Sequence, residues 1–108
     1  MGIKRLTAIV PETLIENFER CLRKCGIPGM TIDKVRGFGE YANYFSTDLM
    51  KSNIWVVVFV SDERAVAVIE ALKSFALEEH TPSGILAVES IERLIDLNSG
   101  QDVPAARL

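Results

Sequence analysis

The run Ile54-Trp55-Val56-Val57-Val58-Phe59-Val60 is apolar without a break. A half-solvated antiparallel strand alternates apolar and polar residues, because successive side chains point to opposite faces. This run does not alternate. It therefore predicts a strand over residues 53–60 with both faces covered, and the rest of the chain must account for two covers. With 108 residues there is enough for one domain with a core and not for two.

The flanking pattern shows how much cover the chain owns. Residues 3–10 read as a first strand, with Leu6, Ala8 and Val10 on one face and Arg5, Thr7 and Ile9 on the other. Pro11 suits a first helical turn, and Glu12 sits where a helix dipole favours an anion. Leu14, Ile15, Phe18, Cys21, Leu22 and Cys25 then recur at helical spacing, and Gly26 with Pro28 marks the stop. A second strand is expected from 31 to 35 or 38. After the apolar strand, Ser61 or Asp62 caps a second helix whose stripe is Ala65, Val66, Ile69, Leu72 and Ala76, with Phe75 alongside. Residues 78–83 read as a polar turn around Pro82, and 84–88 as a fourth strand. Residues 89–97 fit either an edge strand or a short helical turn. Asn98-Ser99-Gly100 is a turn, and 101–108 a loose tail or a segment that docks on a neighbour.

The order is βαββαβ, the split βαβ of α+β ferredoxin-like folds, an antiparallel sheet with both helices on one face. No third helix remains for the other face. Ile85-Leu86-Ala87-Val88 repeats the unalternating pattern, so other subunits are the expected cover and the chain is expected to be a homo-oligomer. The domain is expected to span residues 1–100, with 101–108 as its tail.

Composition narrows the function classes. Net charge is −3, with no basic stripe to neutralise phosphates, which speaks against nucleic acid as partner. No apolar run reaches the length of a membrane span, and no long apolar leader opens the chain, so a cytoplasmic protein without membrane insertion is expected. Cys21 and Cys25 are too few for a disulfide scaffold; on the apolar stripe of the first helix they read as small buried hydrophobes, with no second ligand cluster to suggest zinc or another metal. His80, the only histidine, reads as an exposed loop residue or a pH-sensitive contact. One histidine, no nucleophile motif and no paired carboxylates give no catalytic residues, and the chain is expected not to be an enzyme.

Residues 29–39 read Gly-Met-Thr-Ile-Asp-Lys-Val-Arg-Gly-Phe-Gly. Gly37 and Gly39 around Phe38 release the backbone into conformations closed to side-chain-bearing residues and let it lie close to a ligand. Residues 40–51 show no strong period and read as an arm, in which Tyr41, Tyr44 and Phe45 stand out among small and polar neighbours. The string resembles the "GMT…V-x-GFG" segment of the PII signalling family, and the resemblance extends from residue 3 to about 100. It implies a homotrimeric, nucleotide-binding signal-transduction protein of nitrogen regulation. Its T-loop would be residues 40–51, shortened here. The tyrosines do not sit in the family's modification context, so modification is not implied.

The same resemblance exposes three departures. The family's phosphate cradle, "TGxxGDGK", corresponds to Glu79-His80-Thr81-Pro82-Ser83-Gly84, which keeps one glycine and no lysine. The paired arginines of the family's "R-x-R-x-G" run are Asp96 and Asn98 here. Charge-assisted contacts are worth roughly 1.5–3 kcal/mol each, so losing several weakens ATP binding by orders of magnitude. The ligand-binding residues expected at an intersubunit cleft are Arg36, Gly37, Phe38, Gly39, Glu40, Thr81, Ser83 and Gly84. The cleft is left open to ADP, AMP, a small anion such as bicarbonate, or nothing, with ATP weak or absent. Arg36 and Lys51 are the nearest cations. The partner-binding loop would use Tyr41, Tyr44, Phe45 and Asp48 to regulate a transporter or a metabolic enzyme. The alternative is a CutA-type trimer with a metal-binding or structural role. A small ferredoxin-fold enzyme ranks last.

Overall fold

The computed structural model describes residues 2–37, 51–79 and 84–108. Strand β1 (Ile3–Pro11) lies inside a four-stranded sheet. It pairs with β3 (Lys51–Ser61) on one side and β4 (Ile85–Ile91) on the other, and β2 (Thr31–Gly37) adds to the outer edge of β3. Every pairing is antiparallel and the order is β2-β3-β1-β4. Helices α1 (Ile15–Lys24) and α2 (Asp62–Glu79) complete the ferredoxin-like βαββαβ arrangement expected from the sequence.

The helices form where the apolar stripes predict, except that Val66 of the second stripe is 68% exposed and Val68 takes its place in the core. Pro11 ends β1 with extended backbone and precedes a 3-10 turn, Glu12–Leu14, that leads into α1. Gly26 follows α1 with φ +77°, the left-handed conformation that closes helices, and its N–H donates to the Arg23 carbonyl. Phe18 and Leu22 of α1, with Ala65, Val68 and Leu72 of α2, pack on Leu6, Ala8 and Val10 of β1 and on Ile54, Val56, Val58 and Val60 of β3. Phe18 meets Phe75 edge to face, with ring centroids 6.0 Å apart. Both helices therefore serve one face of the sheet.

Three boundaries differ from the sequence reading. α2 continues through Glu78 to Glu79, where a polar turn was expected; glutamate propagates a helix well. β4 runs to Ile91 rather than stopping at 88, because its register with β1 continues: Glu89 faces Arg5 and Ser90 faces Lys4. Beyond it, the ambiguous segment forms not a helical turn but a small hairpin of β5 (Ile95–Asp96) with β6 (Gln101–Asp102), turning through Gly100 at φ +73°. The last residues take up a 3-10 turn, Ala105–Arg107, and the Leu108 carbonyl accepts from Arg64 Nη1 at 2.7 Å.

The face away from the helices carries Thr7 and Ile9 of β1, Trp55, Val57 and Phe59 of β3, and Ile85 and Ala87 of β4, aligned by register. Trp55 and Ile85 each remain 38% exposed. Val57 is nearly buried between its neighbours, with Thr7 and Thr31 in register on either side.

Candidate functional site

Two of the segments singled out in the sequence start from the same end of the sheet. Gly37 faces Lys51 and Arg36 faces Ser52 in the β2–β3 register, beyond the point where β1 ends with Pro11 opposite Asn53. At the β4 edge of that end, Gly84 precedes Ile85, which pairs with Ile9. The structure thus gathers Arg36, Gly37 and Gly84 at one end, on opposite edges. Arg36 is exposed there. Phe38, Gly39, Glu40, Thr81 and Ser83 lie outside the described residues, as do Tyr41, Tyr44, Phe45, Asp48 and His80.

Gly84 is fixed by sterics as well as by conformation. Its φ is +76°, and a Cβ on it would sit 1.8 Å from the Ile9 carbonyl oxygen. The chain entering β4 is therefore pressed against the β1 backbone at Gly84. Beside it an apolar hollow of about 110 Å³ opens between the sheet and α2, lined by Val10, Phe18, Leu72, Phe75 and Leu86. Gly29 is the opposite case: among the described residues a side chain there would meet nothing within 4 Å, and packing among them does not account for that glycine.

Ion pairs flank both faces of the sheet, with Arg5 and Glu89 on the open one and Lys4 and Lys34 on the helix side. Arg5 Nη2 lies 2.6 Å from Glu89 Oε1, with Arg5 Nε donating to the same oxygen at 3.0 Å. Lys4 reaches Ser90 Oγ at 3.0 Å and Asp62 Oδ1 at 3.3 Å. Asp62, expected only as a helix cap, also accepts from the Gly2 N–H at 3.1 Å and so ties the chain's beginning to α2. Lys34 of β2 reaches Glu12 at 3.0 Å.

The family profile of nitrogen regulatory protein P-II matches residues 3–100. The chain belongs to the P-II family. It is 27% identical to the nitrogen regulatory protein P-II of Rhizobium meliloti, an alignment covering 92% of this chain and 95% of the relative. With the P-II protein of Pasteurella multocida the identity is 28%, covering 93% and 96%. With the nitrogen regulatory protein GlnK of Escherichia coli K12 it is 23%, covering 96% and 99%.

In this P-II family member, Asp96 has a local structural task. Its Oδ1 accepts from the Asn98 N–H at 2.8 Å and its carbonyl from the Gly100 N–H at 2.7 Å, so it builds the β5–β6 turn. Its other oxygen lies 3.9 Å from Arg107. Arg93 is engaged as well, forking onto both carboxylate oxygens of Asp102 at 3.1 and 3.3 Å. The hairpin is thus built on acidic groups paired within the chain. Among the described residues no cluster of three or more Cys, His, Asp or Glu side chains is arranged to hold a metal ion. No helix among them is long and apolar enough to cross a membrane.

Arg64 is the residue that sequence reasoning missed. Its guanidinium donates to the Cys25 carbonyl at the end of α1 and to the Leu108 carbonyl. Nothing local in the sequence marks such a residue, since both acceptors are backbone groups far along the chain. Cys21 and Cys25 are half-buried at the edge of the core rather than inside it. Burial, and after it the neighbouring Cys25, holds the Cys21 thiol above its ordinary value, while Lys24 pulls the other way.

Proposed function

We propose that this chain is a PII-type signal-transduction protein that assembles as a homotrimer and senses a small metabolite at clefts between subunits. The observation that carries the reading is that Arg36 and Gly37 on one edge and Gly84 on the other share one end of the sheet of a P-II family chain. The resemblance assigns the arm to residues 40–51 and the cradle to residues 79–84, which adjoin or include these positions.

The assembly follows from the open sheet face. Burying the exposed parts of Trp55 and Ile85 against other copies removes apolar surface from water at about 25 cal/mol per Å². Arg36 is the cation for the ligand, with Gly37, Phe38, Gly39 and Glu40 on one side and Thr81, Ser83 and Gly84 on the other. ADP, AMP or a small anion such as bicarbonate fits this reduced site better than ATP, for which the glycine-rich cradle, its lysine and the paired arginines are missing. A ligand that binds one arrangement of the 40–51 arm more tightly than another shifts the arm's population. Tyr41, Tyr44, Phe45 and Asp48 then present that state to a transporter or a metabolic enzyme. The role is regulatory rather than catalytic, as the names of the relatives suggest for them.

Titration calorimetry tests the sensor. ADP, AMP or bicarbonate is expected to give saturable heat, with ATP weak or silent. Arg36→Ala is expected to lower the affinity of the responding ligand by roughly tenfold or more, the loss of one charge-assisted contact. Absence of heat with all four compounds would refute the reading.

A further inference from the structure

We propose that Cys21 and Cys25 form a reversible intramolecular disulfide, which makes the last turn of α1 a thiol-oxidation site. The two residues stand one helical turn apart, so their Cα atoms are about 6 Å from each other. That separation lies within the span of about 4.4–6.8 Å that a disulfide bridges. The backbone is also not an ideal helix at this point. Cys25 closes α1 with ψ −1°, and its N–H is shared between the Cys21 carbonyl at 3.2 Å and the Leu22 carbonyl at 3.1 Å. Such an end turn adjusts more readily than a helix interior, where every bond is fixed on both sides.

Cys21 is also reachable. Cys21 lines a surface groove of about 440 Å³ between α1 and α2, together with Arg20, Lys24, Ser74 and Glu78. The groove lies on the helix layer, so subunits joined through the open sheet face leave it clear. The polar contact of the Cys21 sulfur with the Ala71 carbonyl is weak, at 3.8 Å, and is readily given up.

The oxidant is a low-molecular-weight disulfide such as oxidised glutathione. One cysteine thiolate attacks it, forming a mixed disulfide and expelling one glutathione thiolate. The second cysteine attacks the mixed disulfide and expels the other glutathione. One S–S bond forms in the protein and one breaks in the oxidant; the two protein S–H protons and the two electrons end on two glutathione thiols. Because burial disfavours the Cys21 thiolate, the reaction accelerates as pH rises. The carbonyl of Cys25 is one of the two held by Arg64, so the bridge forms at the point that ties α1 to the end of the chain.

The test is to incubate the full native chain with oxidised glutathione, quench with acid and measure intact mass and tryptic peptides. The expected product has lost two hydrogens, yields peptides 21–23 and 25–34 joined to each other, and reverts with a thiol reductant. Unreacted thiols, stable glutathione adducts on both cysteines, or disulfide-linked pairs of chains would each overturn the proposal.

Discussion

On its helix side the sheet sets Leu6, Ala8, Val10, Ile54, Val56, Val58 and Val60 against α1 and α2, and none of them exceeds 5% exposure. On its other side the same strands set Ile9, Trp55, Val57 and Phe59, and Trp55 keeps 38% of its surface in water. The side chains on the two sides of β3 are equally apolar. What differs is the cover. Two helices lie over one face, and among the described residues no helix lies over the other, which the homotrimer proposed above would bury. In that assembly, burial within a chain and burial between chains leave the same signature in sequence.

The contrast can be broken from either side. The largest effect is expected on the helix side. Leu6→Ala removes a fully buried side chain and should destabilise the subunit by about 2–5 kcal/mol, read as a shift of the urea midpoint with an unchanged slope. A smaller loss would mean that the helix layer collapses into the space. On the open side, Trp55→Glu should leave the fold standing, because that residue already keeps 38% of its surface in water. Light scattering should then give the single-chain mass of 12.0 kDa with an unchanged circular dichroism spectrum. A variant that keeps the wild-type mass would place the assembly surface elsewhere. The smallest effect separates exposed from buried electrostatics. As a surface pair, Arg5 with Glu89 contributes roughly 0.2–1 kcal/mol in a double-mutant cycle on dissociated subunits. In the assembled protein, removing Arg5 alone should cost more, because Glu89 would then be enclosed without its partner. Equal values in both states would show that the ion pair stays in water.

Much of the fold was legible because its signals are local. The stripe from Leu14 to Cys25 and the stop at Gly26 define α1, and the run from Ile54 to Val60 defines the core of β3. The errors lie where the deciding interaction is long-range or where polarity was taken for a turn. Glu89 and Ser90 look like a departure from a strand until Arg5 and Lys4 are placed opposite them. Glu78 and Glu79 are polar yet continue α2, since a solvent-facing helix end needs no apolar residue. For the proposed site the sequence points to Gly37 and Gly84 by motif, whereas the steric demand on Gly84 comes from the Ile9 carbonyl, a contact between residues far apart in the chain. Asp96 was recognised as unsuited to phosphate, whereas its turn-building hydrogen bonds depend on backbone geometry that no motif records.

The contact of Gly84 with the β1 backbone bears on how members of such a family can diverge and be recombined. A connection whose exit is pinned to a strand it does not belong to can change in length and chemistry without moving the sheet, provided the pin is kept. Glu79 and Gly84 therefore mark natural splice points. A longer loop from a relative, grafted between them, would inherit the same launching direction at both ends, and ligand preference could be exchanged as a cassette while the scaffold stays unaltered.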